Sequence, residues 1–155
     1  MSDAGGPYLF DVGVIALAHS TAPVRDAALS YVQDAIAGTI DAIVPYPALI
    51  GAHTVLTTYY GHSNADASRL LQNFMDAKRI HWYDEMTRAV VRGAFSQASE
   101  TNVDGWDGYY AQVAIDEGAN TVLTIDDDFE RFEAFDTEVI LSPDEFSELN
   151  RFLGN

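Results

Sequence analysis

The stretch from Asn102 to Phe132, NVDGWDGYYAQVAIDEGANTVLTIDDDFERF, most constrains what this chain can fold into. It reads as an acidic opening, an amphipathic helix, a glycine-ended turn, a buried strand and three consecutive aspartates. Trp106 to Glu117 places Tyr110, Val113 and Ala114 on one side at helical spacing, and Gly118 ends it. Thr121 to Ile125 has the continuous apolar centre of a buried strand. Acids flank this unit on both sides: Asp104 and Asp107 at its entrance, and Asp126, Asp127 and Asp128 at its exit. A further acid, Asp11, sits at the C-terminal end of the first apolar run, Tyr8 to Val12.

The rest of the chain repeats the alternation of short apolar runs with helical patterns. Strands are predicted at Tyr8 to Val12, Ile40 to Val44, Ile80 to Tyr83, Thr121 to Ile125 and Glu138 to Leu141. Helices are predicted over Val24 to Ala37, Ala48 to Tyr60, Ala65 to Ala77 with Ser63 as N-cap, and Asp84 to Ala98. Phe129, Phe132 and Phe135 suggest a short helical turn that packs back on the body. Ser142, Pro143 and Glu145 carry the start signal of a last helix running to about Phe152. Alternating strands and helices predict an α/β domain with a mainly parallel sheet of about five strands. One domain is expected over residues 1–155, with residues 1–7 a flexible start.

Composition narrows the class. The 155 residues include no cysteine, so neither disulfides nor thiolate metal sites are available. Asp and Glu number 24 against eight Lys and Arg, a net charge of -16, and Lys78 is the only lysine. Aromatic residues at 12% argue against a disordered acidic chain. An acidic, lysine-poor surface is what a halophilic protein of the archaeal type needs to stay soluble in molar salt. Such charge argues against nucleic acid as partner only at low salt, because the Debye length at 1 M is about 3 Å. No signal peptide or membrane-length apolar segment is seen, so the expected location is the cytoplasm.

In an open α/β sheet, ligands bind beyond the C-terminal strand ends where strand order reverses. If the first and fourth strands are neighbours, Asp11 and Asp126 point into one crevice. Asp104 and Asp107, three apart at a helix start, share a face. Carboxylates gathered without Lys or Arg repel one another, and a hard cation such as Mg²⁺ or Mn²⁺ resolves this through oxygen ligands. Taken singly, Asp104 or Asp107 could be a helix cap and Asp126 to Asp128 a solvated turn. Asp11 is harder to explain so, since an acid ending a buried strand is costly unless paired or liganded.

The run from Asp107 to Phe129, DGYYAQVAIDEGANTVLTIDDDF, resembles the C-terminal half of a PIN domain. Thr124-Ile125-Asp126-Asp127-Asp128-Phe129 is similar to that family's Thr-x-Asp-x-Asp-Phe segment. Leu9-Phe10-Asp11-Val12-Gly13 is similar to the setting of its first acid, and the element order agrees over nearly the whole chain. The resemblance implies a three-layer α/β/α fold and a Mg²⁺- or Mn²⁺-dependent endoribonuclease of the kind found as toxins in VapBC-type toxin–antitoxin pairs. It implies Asp11, Asp107 and Asp126 as catalytic metal ligands, Asp104 and Asp128 assisting, and Thr124 orienting a water or ligand. An antitoxin partner and a homodimer follow as expectations.

One departure stands out. The family's usual Glu on the helix after the second strand is absent, and no acid occurs from Pro45 to Tyr60. Gly51 or Ala52 occupies its place, with His53 the nearest polar substitute. Two readings stay open, an active ribonuclease and a non-catalytic binding or assembly module. No glycine-rich phosphate loop and no nucleophile elbow offers another chemistry.

Overall fold

A computed structural model describes residues 6–154. Five strands, β1 (Tyr8–Phe10), β2 (Ala42–Pro45), β3 (His81–Tyr83), β4 (Thr121–Thr124) and β5 (Asp136–Val139), form one sheet in the order β3-β2-β1-β4-β5. Every neighbouring pair is parallel. Parallel neighbours need crossovers rather than tight turns. Helices α1 (Val12–His19) and α2 (Asp26–Ala37) link β1 to β2, and α3 (Tyr46–Thr58) and α4 (Asn64–Phe74) link β2 to β3. Helices α5 (Arg88–Thr101) and α6 (Gly105–Asp116) link β3 to β4. A 3-10 turn, Asp128–Arg131, lies between β4 and β5, and α7 (Pro143–Phe152) follows β5. This is the three-layer α/β/α arrangement with a parallel five-stranded sheet that the sequence predicts.

Burial explains why the strands read so clearly. Leu9, Phe10, Val44, Val122 and Leu123 have no exposed surface, as expected of parallel strands covered on both faces. Phe129, Phe132 and Phe135 are buried and pack ring on ring, with centroids 6.1 and 5.4 Å apart, so the 3-10 turn folds back on the body as anticipated. The start signal at Ser142 is a full capping box: its hydroxyl accepts from Glu145 N at 3.1 Å, and Glu145 accepts from Ser142 N at 3.0 Å.

The differences from expectation have local causes. The first strand stops at Phe10 because Asp11 caps α1, drawing Val12 into the helix. The predicted helix from Asp84 starts only at Arg88, where the Thr87 hydroxyl accepts from Val90 N. It runs on to Thr101 and ends on Asn102, whose φ of 58° is the left-handed cap that Asn tolerates. The last strand lies two residues earlier than predicted, since its register with β4 pairs Thr121 with Asp136 and Thr124 with Val139. This edge strand is half exposed, so its position follows the ladder rather than the apolar run Val139 to Leu141. Of the expected flexible start, residues 1–5 lie outside the described residues. Gly6 and Pro7 are tied down: Pro7 O accepts from Asn120 N at 2.9 Å, and the Asn120 amide donates to Gly6 O.

The chain winds from β1 through β2 to β3 in one direction and from β4 to β5 in the other. The reversal falls between β1 and β4, and Asp11 N still donates to Leu123 O at 3.1 Å, so the two strands stay paired up to the acids. Helices α5 and α6 pack closely there. A Cβ on Gly108 would lie 2.3 Å from the Ala94 carbonyl oxygen. Gly108→Ala normally strengthens a helix by up to about 1 kcal/mol. Here it is expected to destabilise the protein by about 1–3 kcal/mol through overpacking, as read by urea unfolding. A gain in stability would show that the two helices are not in this contact.

Candidate metal centre

The turn between β1 and α1 sets the first carboxylate. Asp11 Oδ1 accepts from Val12 N at 2.7 Å as the N-cap of α1, and Oδ2 accepts from the Thr124 hydroxyl at 3.1 Å. Thr124 ends β4, is fully buried, and its Oγ1 lies 3.5 Å from Asp126 Oδ1 as well. One hydroxyl carries one proton, so it donates to the nearer carboxylate, Asp11. Asp126 is held instead by the Asp128 backbone, whose N donates to its Oδ1 at 3.0 Å. A cross-strand pair of acids is thus gathered around Thr124 at the switch point.

Helix α6 brings the second pair. Asp104 caps it, its Oδ1 accepting from Asp107 N at 2.8 Å. Asp107 lies in the first turn, where the helix dipole favours negative charge. Burial nevertheless pushes the Asp107 carboxyl up to about 7, and the charges of Asp104, Asp11, Asp128 and Asp126 push in the same direction. Asp11 also rises to about 7, chiefly through burial, with the Thr124 hydrogen bond opposing and Asp126 reinforcing the rise. Asp128, more exposed, is raised by burial and by Asp126 and Asp127, against Arg131. All five predicted acids therefore share one electrostatic neighbourhood.

His53 does not join them. Its Nε2 is 3.0 Å from Ser68 Oγ on α4, and it is absent from the cleft that opens over Asp11 and Asp107. Of the two positions that could replace the missing Glu, Gly51 lines that cleft and Ala52 is buried in the core. A Cβ on Gly51 would meet Val12 Cγ2 at 3.0 Å. The cleft has a volume of about 800 Å³ and is walled by α3 on one side and the start of α6 on the other. Asp84 also lines it, directly after β3. Sequence reasoning missed Asp84 by assigning it to a helix. The signal was the one that marked Asp11, an acid immediately following a short strand.

The donor chemistry fits a hard divalent cation: oxygen ligands only, carboxyls raised by burial and by one another, and no Lys, Arg or His lining the cleft. Among the described residues, no three carboxylates or imidazoles already stand as a ligand set for one ion. Asp11, Asp126 and Asp107 are the residues that would hold it.

The raised carboxyls give a pH signature. Between about pH 4 and 7 the folded protein binds more protons at Asp11 and Asp107 than the unfolded chain, so their ionisation costs stability as pH rises. In chelator, the Tm is expected to fall across this window. Mn²⁺ should reverse the fall, and Asp11→Asn should flatten it. A Tm profile identical in wild type and Asp11→Asn would contradict this electrostatic picture.

No protein-family model matches the sequence, and no curated protein matches it significantly. Solved structures do. A chain of VapBC2 from Rickettsia felis, crystallised bound to a DNA fragment from their promoter, superposes with a TM-score of 0.63 at 15% identity, over 84% of this chain and 96% of that one. A chain of FitAcB from Neisseria gonorrhoeae superposes with a TM-score of 0.51 at 19% identity, over 84% and 95%. At these identities the likeness is one of fold, and that fold is PIN-like, as the motifs around Asp11 and Asp126 imply.

Proposed function

We propose that the protein is a divalent-metal-dependent endoribonuclease of the PIN type, hydrolysing RNA phosphodiesters. The observation that carries this reading is the Thr124 hydroxyl, bonded to Asp11 across two parallel strands with Asp126 beside it and Asp107 brought in by α6. Asp11, Asp107 and Asp126 would hold the ion, while Asp104 fixes the start of α6 and the Asp128 backbone fixes Asp126. Thr124 keeps Asp11 oriented. A bound Mg²⁺ or Mn²⁺ would lower the pKa of a water and neutralise charge on the reacting phosphate. The resemblance to VapBC-type toxins, with a fold shared with a chain of VapBC2, supports an antitoxin protein as partner. A homodimer and a cytoplasmic setting belong to the same reading. Among the described residues no helix is long and apolar enough to cross a membrane.

The test is cleavage of single-stranded RNA with Mn²⁺ in molar salt, the condition that suits a net charge of -16. Asp11→Asn and Asp107→Asn are each expected to lower activity by at least about 100-fold. Thr124→Val, which removes only a positioning partner, should cost about 10–100-fold. Equal activity in wild type and both Asn variants would sink the assignment.

A second reading, a non-catalytic binding or assembly module, is favoured by one observation: Gly51 faces the cleft where the family's helix acid stands. Calorimetric titration separates the two. The enzyme reading expects Mn²⁺ to bind below millimolar concentration and to lose that binding in Asp107→Asn; no heat of binding at millimolar metal would favour the module.

A further inference from the structure

The cleft over Asp11 and Asp107 has a chemical character that metal ligation alone does not explain. Its charged lining is purely acidic, and the rest of its surface is largely apolar. Two aromatic side chains on opposite walls are exposed: Trp106 at 58% and Tyr46 at 37%. Each ring packs against a second ring. Trp106 lies nearly parallel to buried Tyr110, centroids 6.2 Å apart at 24°, and Tyr46 stacks on Trp82 at 5.6 Å and 11°. Their orientations are therefore set before anything binds.

Nucleic-acid binding usually draws its affinity from Lys and Arg on phosphates. This chain has only eight such residues, and none lines the cleft. Phosphate can be met there only through a cation on the carboxylates, so any further hold on the strand within the cleft comes from uncharged contacts. Base stacking on an aromatic face supplies that contact, tolerates any sequence, and is not screened by salt. A base in a duplex is already stacked and cannot reach such a ring, whereas an unpaired base can.

Resting on the ribonuclease reading, we propose that Trp106 and Tyr46 capture an unpaired RNA base by stacking, and so place the adjoining phosphate at Asp11 and Asp107. Trp106 precedes Asp107 in the chain, so the stacked base and the metal-binding carboxylate are positioned by one helix start. What this pair of rings selects is the availability of a flipped-out base rather than phosphate charge.

The experiment compares wild type, Trp106→Ala and Trp106→Phe on a single-stranded RNA oligonucleotide, with an abasic nucleotide walked along it, in Mn²⁺ and molar salt. Trp106→Ala is expected to raise KM about tenfold or more, with the effect on KM rather than kcat, and Trp106→Phe to restore most of it. At one position the abasic substitution should raise the wild-type KM by a similar factor and leave Trp106→Ala unaffected. Unchanged KM in Trp106→Ala, or equal abasic effects in both proteins, would overturn the proposal and leave the aromatic walls to a protein partner. If wild type cleaves nothing, the ribonuclease reading fails by itself, and tryptophan fluorescence then decides the stacking. Quenching by the intact oligonucleotide that is lost with the abasic one or in Trp106→Phe supports it. Quenching that survives both changes, or none at all, overturns it.

Discussion

Like charges held close at the C-terminal edge of a parallel sheet are the constraint on which this structure turns. Asp11 and Asp126 arrive there because β1 and β4 are neighbours on either side of the reversal in strand order. Asp107 arrives because α6 starts beside them. The two strand-end acids accept from the backbone N–H groups of Val12 and Asp128 and share the Thr124 hydroxyl, whose single proton can satisfy one of them. Burial and mutual repulsion raise Asp11 and Asp107 to about 7. This concentration of carboxylate at the switch point is what a bound cation would neutralise.

The scaffold supports that arrangement through close packing rather than through further charges. Gly108 lets α5 approach α6 at backbone contact, and Tyr109 and Tyr110 fill the space beneath. The aromatic cluster of Trp106, Tyr109 and Tyr110 fixes the first turn of α6, which also carries Asp107. The element that carries Asp107 thus also supplies the most exposed aromatic wall of the cleft. Among the described residues Arg69 pairs with Asp66, and His81 bonds Glu117 in a contact that is an ion pair only when the imidazole is protonated; both are at the surface, where such pairs contribute about 0–1 kcal/mol.

Much of this was legible in the sequence, for identifiable reasons. Parallel strands buried on both faces read as continuous apolar runs, so β1, β2 and β4 could be located, and with them Asp11 after β1 and Asp126 after β4. The edge strand β5 has no such run, and its register is fixed only by pairing with β4. Asp84 and Glu85 looked like the acidic first turn of a helix, which hid the short loop from Asp84 to Thr87 and the strand-end position of Asp84. His53 was the nearest polar residue to the missing Glu in sequence. Residues two apart on a helix point about 200° apart, however, so when Gly51 faces the cleft His53 faces α4. The cleft itself, built from α3, α6 and the loop after β3, depends on tertiary packing that no local pattern encodes.

On the proposed ribonuclease reading, Asp11, Asp107 and Asp126 would together hold a hard divalent cation. A crystal soaked in millimolar Mn²⁺ and measured at the manganese absorption edge tests it most directly. An anomalous peak with oxygens of all three aspartates within about 2.0–2.6 Å is expected. Density showing the three carboxylates apart, with no ion among them, would contradict it.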